Sequence, residues 1–223
     1  MKNKFVKNDK SKISEAGKLI IFDYDGVLRS ISIEGIFRGY VAVLEYAGKN
    51  YKEFFADIEE FKKWLNPDVH KNIERVGIRK KDPEILRVFH SHYDAHVRIF
   101  PWAGKLLAEL CLRHTLALFT SSSEKSVRES LGKLNDFFSL IICNDHVQKL
   151  KPDPEGIYVI LEKLQRKNNN TLIIGDTTVD IMAGQSAGIQ TGAVGWGVIN
   201  NLEDLLKLNP DFVFREPNDL FSI

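Results

Sequence analysis

What this chain has little of narrows its class before any motif is read. Only two cysteines, Cys111 and Cys143, occur in 223 residues, far apart and each within or beside an apolar segment. That excludes a disulfide framework and fits buried free thiols in a reducing compartment. No basic run is present and the formal net charge is +1, so there is no electrostatic footprint for nucleic acid or an anionic membrane surface. No apolar stretch is long enough to span a bilayer, and the first seventeen residues, rich in Lys, Asn and Ser, lack the apolar segment of a signal peptide. These absences predict a cytoplasmic protein with a flexible tail over residues 1–17. Small or metal-bound ligands remain as partners, and the length suits one large domain or a main domain with an insert.

What is present is organised around Lys18 to Ser30. Leu19 to Phe22 is an unbroken apolar run that stops at two carboxylates, and reads as a buried strand of a parallel sheet. Alternation along an extended chain puts Asp23 and Asp25 on one side and Tyr24 on the other. Gly26 then allows a sharp turn. Two acids so close repel each other, and a cation or a proton offsets the repulsion. Magnesium, a hard ion that takes one or two carboxylates, waters and a substrate phosphate, is the obvious cation. Solvated loop acids or helix caps are the plain alternative at this point.

From residue 31 to about residue 98 the periodicity is helical. Stripes at Phe37, Tyr40, Val41 and Leu44, then Phe54, Ile58, Phe61 and Leu65, then Val69, Ile73 and Val76, then Leu86, Phe89, Tyr93 and Val97 predict a four-helix insert, with Gly48, Asn66-Pro67, Gly77 and Asp82-Pro83 as its punctuation. His92 and His96, one turn apart with His90 and Asp94 nearby, have the spacing of a zinc pair. No cysteine or further histidine completes a set, so a polar helix face is the reading taken and no zinc is assigned.

From Phe100 strands and helices alternate to the end: a helix over Pro101 to Arg113, a strand over Thr115 to Thr120, a helix, a strand over Leu140 to Cys143, a helix opened by Lys151-Pro152-Asp153-Pro154, a strand over Thr171 to Gly175, a helix over Asp176 to Ala187, and further strands near Gln190 to Val194 and Phe212 to Phe214 around a helix near Leu202 to Leu208. That grammar predicts an α/β fold, a doubly wound, Rossmann-like parallel sheet with helices on both faces. Three more strand ends then join the two aspartates. Thr120, followed by Ser121, offers a hydroxyl and amides at a helix start; Lys151 offers a point charge; Asp176 and Asp180 flank another helix start. A cap, a solvated lysine and macrodipole-favouring acids explain each alone, but together they require four unrelated coincidences at four strand ends.

Asp23-Tyr-Asp-Gly-Val-Leu28, the strand ending at Thr120, Lys151-Pro-Asp-Pro154 and Gly175-Asp-Thr-Thr-Val-Asp180 resemble the four ordered motifs of the haloacid dehalogenase superfamily. The resemblance covers Lys18 to the C-terminus. Asp145-His-Val and Gly195-Trp196-Gly197 are similar to the phosphoglycolate phosphatase and beta-phosphoglucomutase branch. It implies a core of residues 18–30 and 99–223 with a mobile helical cap over 31–98. It also implies Asp23 as nucleophile through an aspartyl-phosphate, Asp25 as general acid and base, and Mg²⁺ on the side chains of Asp23 and Asp176 and the main-chain carbonyl of Asp25. Asp180 would support the site, and Thr120, Ser121 and Lys151 would hold the phosphoryl group.

The expected activity is magnesium-dependent hydrolysis of a small phosphorylated metabolite. A phosphomutase is the enzymatic alternative and a non-catalytic binding module the other. Dehalogenation does not need the second acid, and phosphonate cleavage goes with a small residue where Asp25 stands, so both are disfavoured. Val27 replaces the family's more usual Thr, and Arg29-Ser30-Ile31 a stretch that often carries an acid. Arg29, Arg38, His92 and His96 are the cap-side groups expected to face the cleft.

Overall fold

A computed structural model describes residues 17–78 and 83–223; the expected tail, but for Gly17, and Asp82 lie outside the described residues, as do the side chains of Val69 and Leu86. Six strands form one parallel sheet: β1 (Leu19–Phe22), β2 (Thr115–Phe119), β3 (Leu140–Ile142), β4 (Thr171–Gly175), β5 (Gln190–Val194) and β6 (Phe212–Phe214). Their order is β3-β2-β1-β4-β5-β6. β1 is wholly buried between β2 and β4, with Phe22 level with Leu118 and Ile174. The chain moves outward to one side through β2 and β3, then returns to the other side at β4. This reversal at β1 opens a crevice at the strands' carboxyl ends, where open α/β sheets take ligands.

The insert between β1 and β2 holds α1 (Ile33–Tyr46), α2 (Ile58–Trp64), α3 (Val69–Val76) and α4 (Pro83–Tyr93). Ser32 opens α1 by accepting from the Gly35 amide at 2.9 Å, and Gly48 and Gly77, at φ +69° and +63°, follow α1 and α3 where a side chain would be strained. The second stripe differs from expectation. Asp57 caps α2 by accepting from the amides of Glu59 and Glu60, both at 2.9 Å, so the helix cannot begin earlier. Phe54 is therefore left half-buried in the preceding turn, and Phe55 takes the core position. Val97 likewise falls beyond α4, after a tight turn at Asp94–His96, though it remains in the insert's core. Rings dominate that core: Phe61 lies 4.9 Å from Phe55, 5.5 Å from Phe37 and 5.6 Å from Tyr40 between centroids.

Five more helices complete the sheet's surroundings: α5 (Ala103–Leu110), α6 (Glu124–Leu131), α7 (Glu155–Lys163), α8 (Thr178–Ala187) and α9 (Leu202–Leu206). Alternation along β1 sends Ile20, Phe22 and Tyr24 to a core shared with Leu106, Leu107 and Leu110 of α5 and Val127 and Leu131 of α6. Leu19 and Ile21 face Ile157, Ile160 and Leu161 of α7 and Ala183 and Ala187 of α8. Asp23 follows the second set and Tyr24 the first, as the strand's period requires. Both cysteines are free thiols, Cys143 buried and Cys111 half-buried. Among the described residues no helix is long and apolar enough to cross a membrane.

Phe61→Ala removes the ring at the centre of the insert's aromatic cluster and should cost about 3–5 kcal/mol of unfolding free energy. Denaturant unfolding checks this, and a loss below about 1 kcal/mol would contradict the packing described.

Candidate active site

The chain can bring its acids together because glycine backbone lies against them. Gly26, at φ +85°, places its α-carbon where an added Cβ would sit 2.0 Å from Asp176 Oδ2; one on Gly197 would sit 2.4 Å from Asp176 Cβ, and one on Gly175 2.2 Å from Asp180 Cβ. Any side chain at these three positions would push the acids apart. Asp23 follows β1, Asp176 follows β4, and Asp180 lies in the first turn of α8, where its Oδ2 accepts from the Thr177 amide at 3.0 Å and from the Thr177 hydroxyl at 2.5 Å. The three carboxylates offer oxygens within 4.8 Å of one another, and all are buried.

Lys151 compensates part of this charge. Its ammonium donates to Asp23 Oδ1 at 2.5 Å, Asp180 Oδ1 at 2.6 Å and the Phe119 carbonyl at 3.1 Å, which uses all three of its N–H groups. Burial works against the ammonium, but Asp180 and Asp23 outweigh it and hold its pKa above the ordinary lysine range. One ammonium cannot balance three carboxylates. Burial pushes the Asp23 carboxyl up to about 7 even against the pull of Lys151, with Asp180 adding to the rise. Asp176 is raised well above its usual value by burial and then by Asp23 and Asp180. Both Asp176 oxygens are buried without a hydrogen-bond partner. An acceptor pair orphaned in this way is costly unless a cation meets it, and the all-oxygen donor set suits a hard divalent ion.

Asp25 stands apart from this cluster and is tied to the insert. Its Oδ1 accepts from Arg29 Nε at 2.8 Å and from the Tyr93 hydroxyl of α4 at 3.0 Å, while Arg29 Nη2 lies 2.7 Å away but out of hydrogen-bond alignment. Asp25 Oδ2 accepts from Ser122 Oγ at 2.7 Å. Arg29 is 1 % exposed and sits against the rings of Tyr24 and Tyr93, 4.6 and 5.3 Å from their centroids. Its Nη1 also reaches Asp94 at 3.2 Å. The sequence pattern did not disclose this arrangement. Tyr93 reads as one member of an apolar stripe, which says nothing of where its hydroxyl points, and Ser122 as one of a serine run. The four-residue spacing of Asp25 and Arg29 was the available signal for their pairing.

Thr120, 1 % exposed, lines the crevice with Ser121, Ser122 and Lys151. The helix after it opens later than expected, at Glu124, because Ser123 is its cap. The Ser122 amide turns back to Thr120 Oγ1 at 3.0 Å and the Glu124 amide goes to Asp145 at 2.6 Å, so neither of these two amides is directed at the acids. His92 and His96 are exposed and neither lines the crevice; His90 does. Arg38 is exposed and pairs with Glu34 at 2.7 Å. Arg29, expected to face the cleft, is buried beneath it on Asp25. Among the described residues, the only cluster fit to hold a metal is Asp23, Asp176 and Asp180. The crevice between sheet and insert encloses about 280 Å³.

With this geometry in place, the likeness to known proteins is specific. A family model described as haloacid dehalogenase-like hydrolase matches residues 20–194. The Pyrophosphatase PpaX of Anoxybacillus flavithermus is 31% identical over 211 residues, 92% of this chain and 95% of that protein. A haloacid dehalogenase-like family protein from Streptococcus pneumoniae has the same fold, with TM-score 0.72 over 93% of this chain and 98% of its own at 23% identity. So does a predicted phosphoglycolate phosphatase from Haemophilus somnus, with TM-score 0.67 over 93% and 97% at 21% identity.

A carboxyl whose pKa is raised on folding stabilises the fold only while protonated, so the contribution of Asp23 is fully present below the unfolded value, 3.8, and lost as pH rises through about 7. Asp176 behaves in the same direction. Without metal, Asp176→Asn should therefore melt several degrees above the unsubstituted protein at about pH 8, with the gap closing towards about pH 5. Mg²⁺ should raise the melting temperature of the unsubstituted protein far more than that of the variant. A variant less stable at every pH would contradict the electrostatics described.

Proposed function

The chain belongs to the haloacid dehalogenase-like hydrolases, and from that premise we propose that it is a magnesium-dependent phosphatase hydrolysing a small phosphomonoester. The observation that carries the reading is Asp176, whose two buried oxygens have no protein partner beside Asp23. Mg²⁺ would be held by the side chains of Asp23 and Asp176 and the main-chain carbonyl of Asp25, and when bound it supplies positive charge to a phosphoryl oxygen. Asp180, occupied by Lys151 and Thr177, supports the others from behind.

Lys151 fixes Oδ1 of Asp23, which leaves Oδ2 to attack phosphorus and form an aspartyl-phosphate. Thr120 and Ser121 hold the phosphoryl oxygens, and Lys151 acts through its charge, its hydrogens being spent on Asp23, Asp180 and Phe119. Asp25 protonates the departing oxygen and then takes a proton from the water that hydrolyses the intermediate. Residues 18–30 and 99–223 form the catalytic core, and residues 31–98 a cap. Tyr93 carries the cap's position to Asp25, since its hydroxyl meets the carboxylate only with α4 seated here. The activities for which the relatives are named, pyrophosphate and phosphoglycolate hydrolysis, are both transfers of a phosphoryl group to water, and support this reading.

Release of phosphate from p-nitrophenyl phosphate with and without Mg²⁺ tests it. Activity should require the ion, and Asp23→Asn should abolish turnover while leaving the fold intact; wild-type hydrolysis by that variant would contradict the assignment. Tyr93→Phe deletes one hydrogen bond to Asp25, and should lower kcat about tenfold with KM within about twofold. An unchanged kcat would separate the cap from the acid.

A further inference from the structure

Among the described residues, which leave out 79–82, the wall that the insert presents to the crevice is largely apolar. Ile36, Tyr40 and Val43 of α1, Ile73 and Val76 of α3 and Phe89 of α4 line it. The polar groups among them are spent on one another or on Asp25. Asn72, fully buried, donates to the Asn66 carbonyl at 2.7 Å and accepts from the Asn66 amide at 2.9 Å, and the Tyr40 hydroxyl bonds to Asn72. Tyr93 is committed to Asp25. Among the described lining residues the basic groups are Lys151 and His90. Every N–H of Lys151 is already taken, and His90, whose Nδ1 lies 3.4 Å from Asp94, is the one basic group of the insert among the described lining residues.

The charge balance therefore differs between the two halves of the crevice. The sheet half holds the acids, Lys151 and room for a divalent ion, enough to accept one phosphoryl group. A leaving group that carried another phosphate or a carboxylate would place a further negative charge near four aspartates and against hydrocarbon, where an unpaired charge is expensive. An alkyl or aryl group in the same place would instead leave water for apolar surface. We propose that the substrate is the phosphate monoester of an uncharged, predominantly apolar alcohol, and that pyrophosphate and anionic esters such as phosphoglycolate are poor substrates. The proposal rests on the phosphatase reading above and separates this chain from the activities named for its relatives. The cavity of about 280 Å³, shared with the phosphoryl group, limits the alcohol to a modest size.

The test is kcat/KM, with Mg²⁺, for methyl, propyl and hexyl phosphate, 2-phosphoglycolate and pyrophosphate, with p-nitrophenyl phosphate as reference. The simple alkyl esters beyond methyl differ little in leaving-group acidity, so their ratio reports burial. Each added methylene should raise kcat/KM about fourfold, the factor equivalent to about 0.8 kcal/mol, until the cavity is full. Pyrophosphate and phosphoglycolate should fall at least about tenfold below hexyl phosphate, although pyrophosphate has the better leaving group. Ile73→Lys, which puts a cation on the wall, should move the ratio of pyrophosphate to hexyl phosphate upward by at least about tenfold. A flat or falling chain-length profile, or a preference for either anion, overturns the proposal and leaves the phosphatase standing. No hydrolysis of any ester, p-nitrophenyl phosphate included, overturns the phosphatase and the proposal together.

Discussion

Three buried carboxylates against one ammonium is the constraint that the rest of the site answers to. Asp23, Asp176 and Asp180 surround Lys151, and if all ionise they leave two negative charges in a place where water cannot solvate them. A protein can meet that cost with protons or with a divalent cation. The raised carboxyls of Asp23 and Asp176 are the first answer, and the orphaned oxygens of Asp176 mark the place for the second. Gly26, Gly175 and Gly197 serve the same constraint, since their bare α-carbons let the acids approach without steric opposition.

The fourth acid is treated differently, and the difference is useful chemically. Asp25 has Arg29, Tyr93 and Ser122 around its carboxylate, so its charge is met by fixed donors rather than by the shared cluster. A site that needs one carboxylate as nucleophile and another for proton transfer benefits from giving the two unlike surroundings. The Arg29 pair links that acid to Asp94 and Ser126. Groups from the loop after β1, from the insert and from α6 thus meet at one buried guanidinium.

Much of this was legible in the sequence because it depends on short-range pattern. Apolar runs of four or five residues named β1, β2 and β4 to within a residue, and each ended in a polar residue that the parallel sheet then carried to one edge. Asp23, Thr120 and Asp176 were found that way, and Lys151 in the Lys151-Pro-Asp-Pro154 stretch ahead of α7. What stayed hidden depends on direction and distance through space. Periodicity placed Tyr93 on the inward stripe without aiming its hydroxyl, and it favoured His92 and His96 where His90 is the one beside the cleft. The delayed starts of α2 and α6 are both set by caps: Asp57 accepts the first amides of α2 against the apolar stripe, and Ser123 caps α6 while Ser122 is held on Asp25. The apolar wall of the crevice stayed hidden for a related reason: Tyr40, Val76 and Phe89 pack the insert's core and also border the cavity, which a stripe does not disclose.

The central claim is that the acid cluster holds protons that a divalent cation displaces. Calorimetric titration of the protein with Mg²⁺ near pH 6.5, in two buffers of different ionisation enthalpy, measures it directly. The account predicts that binding releases about one proton per ion, because Asp23 titrates near that pH and Asp176 above its usual range. Binding without proton release, or no binding, would contradict it.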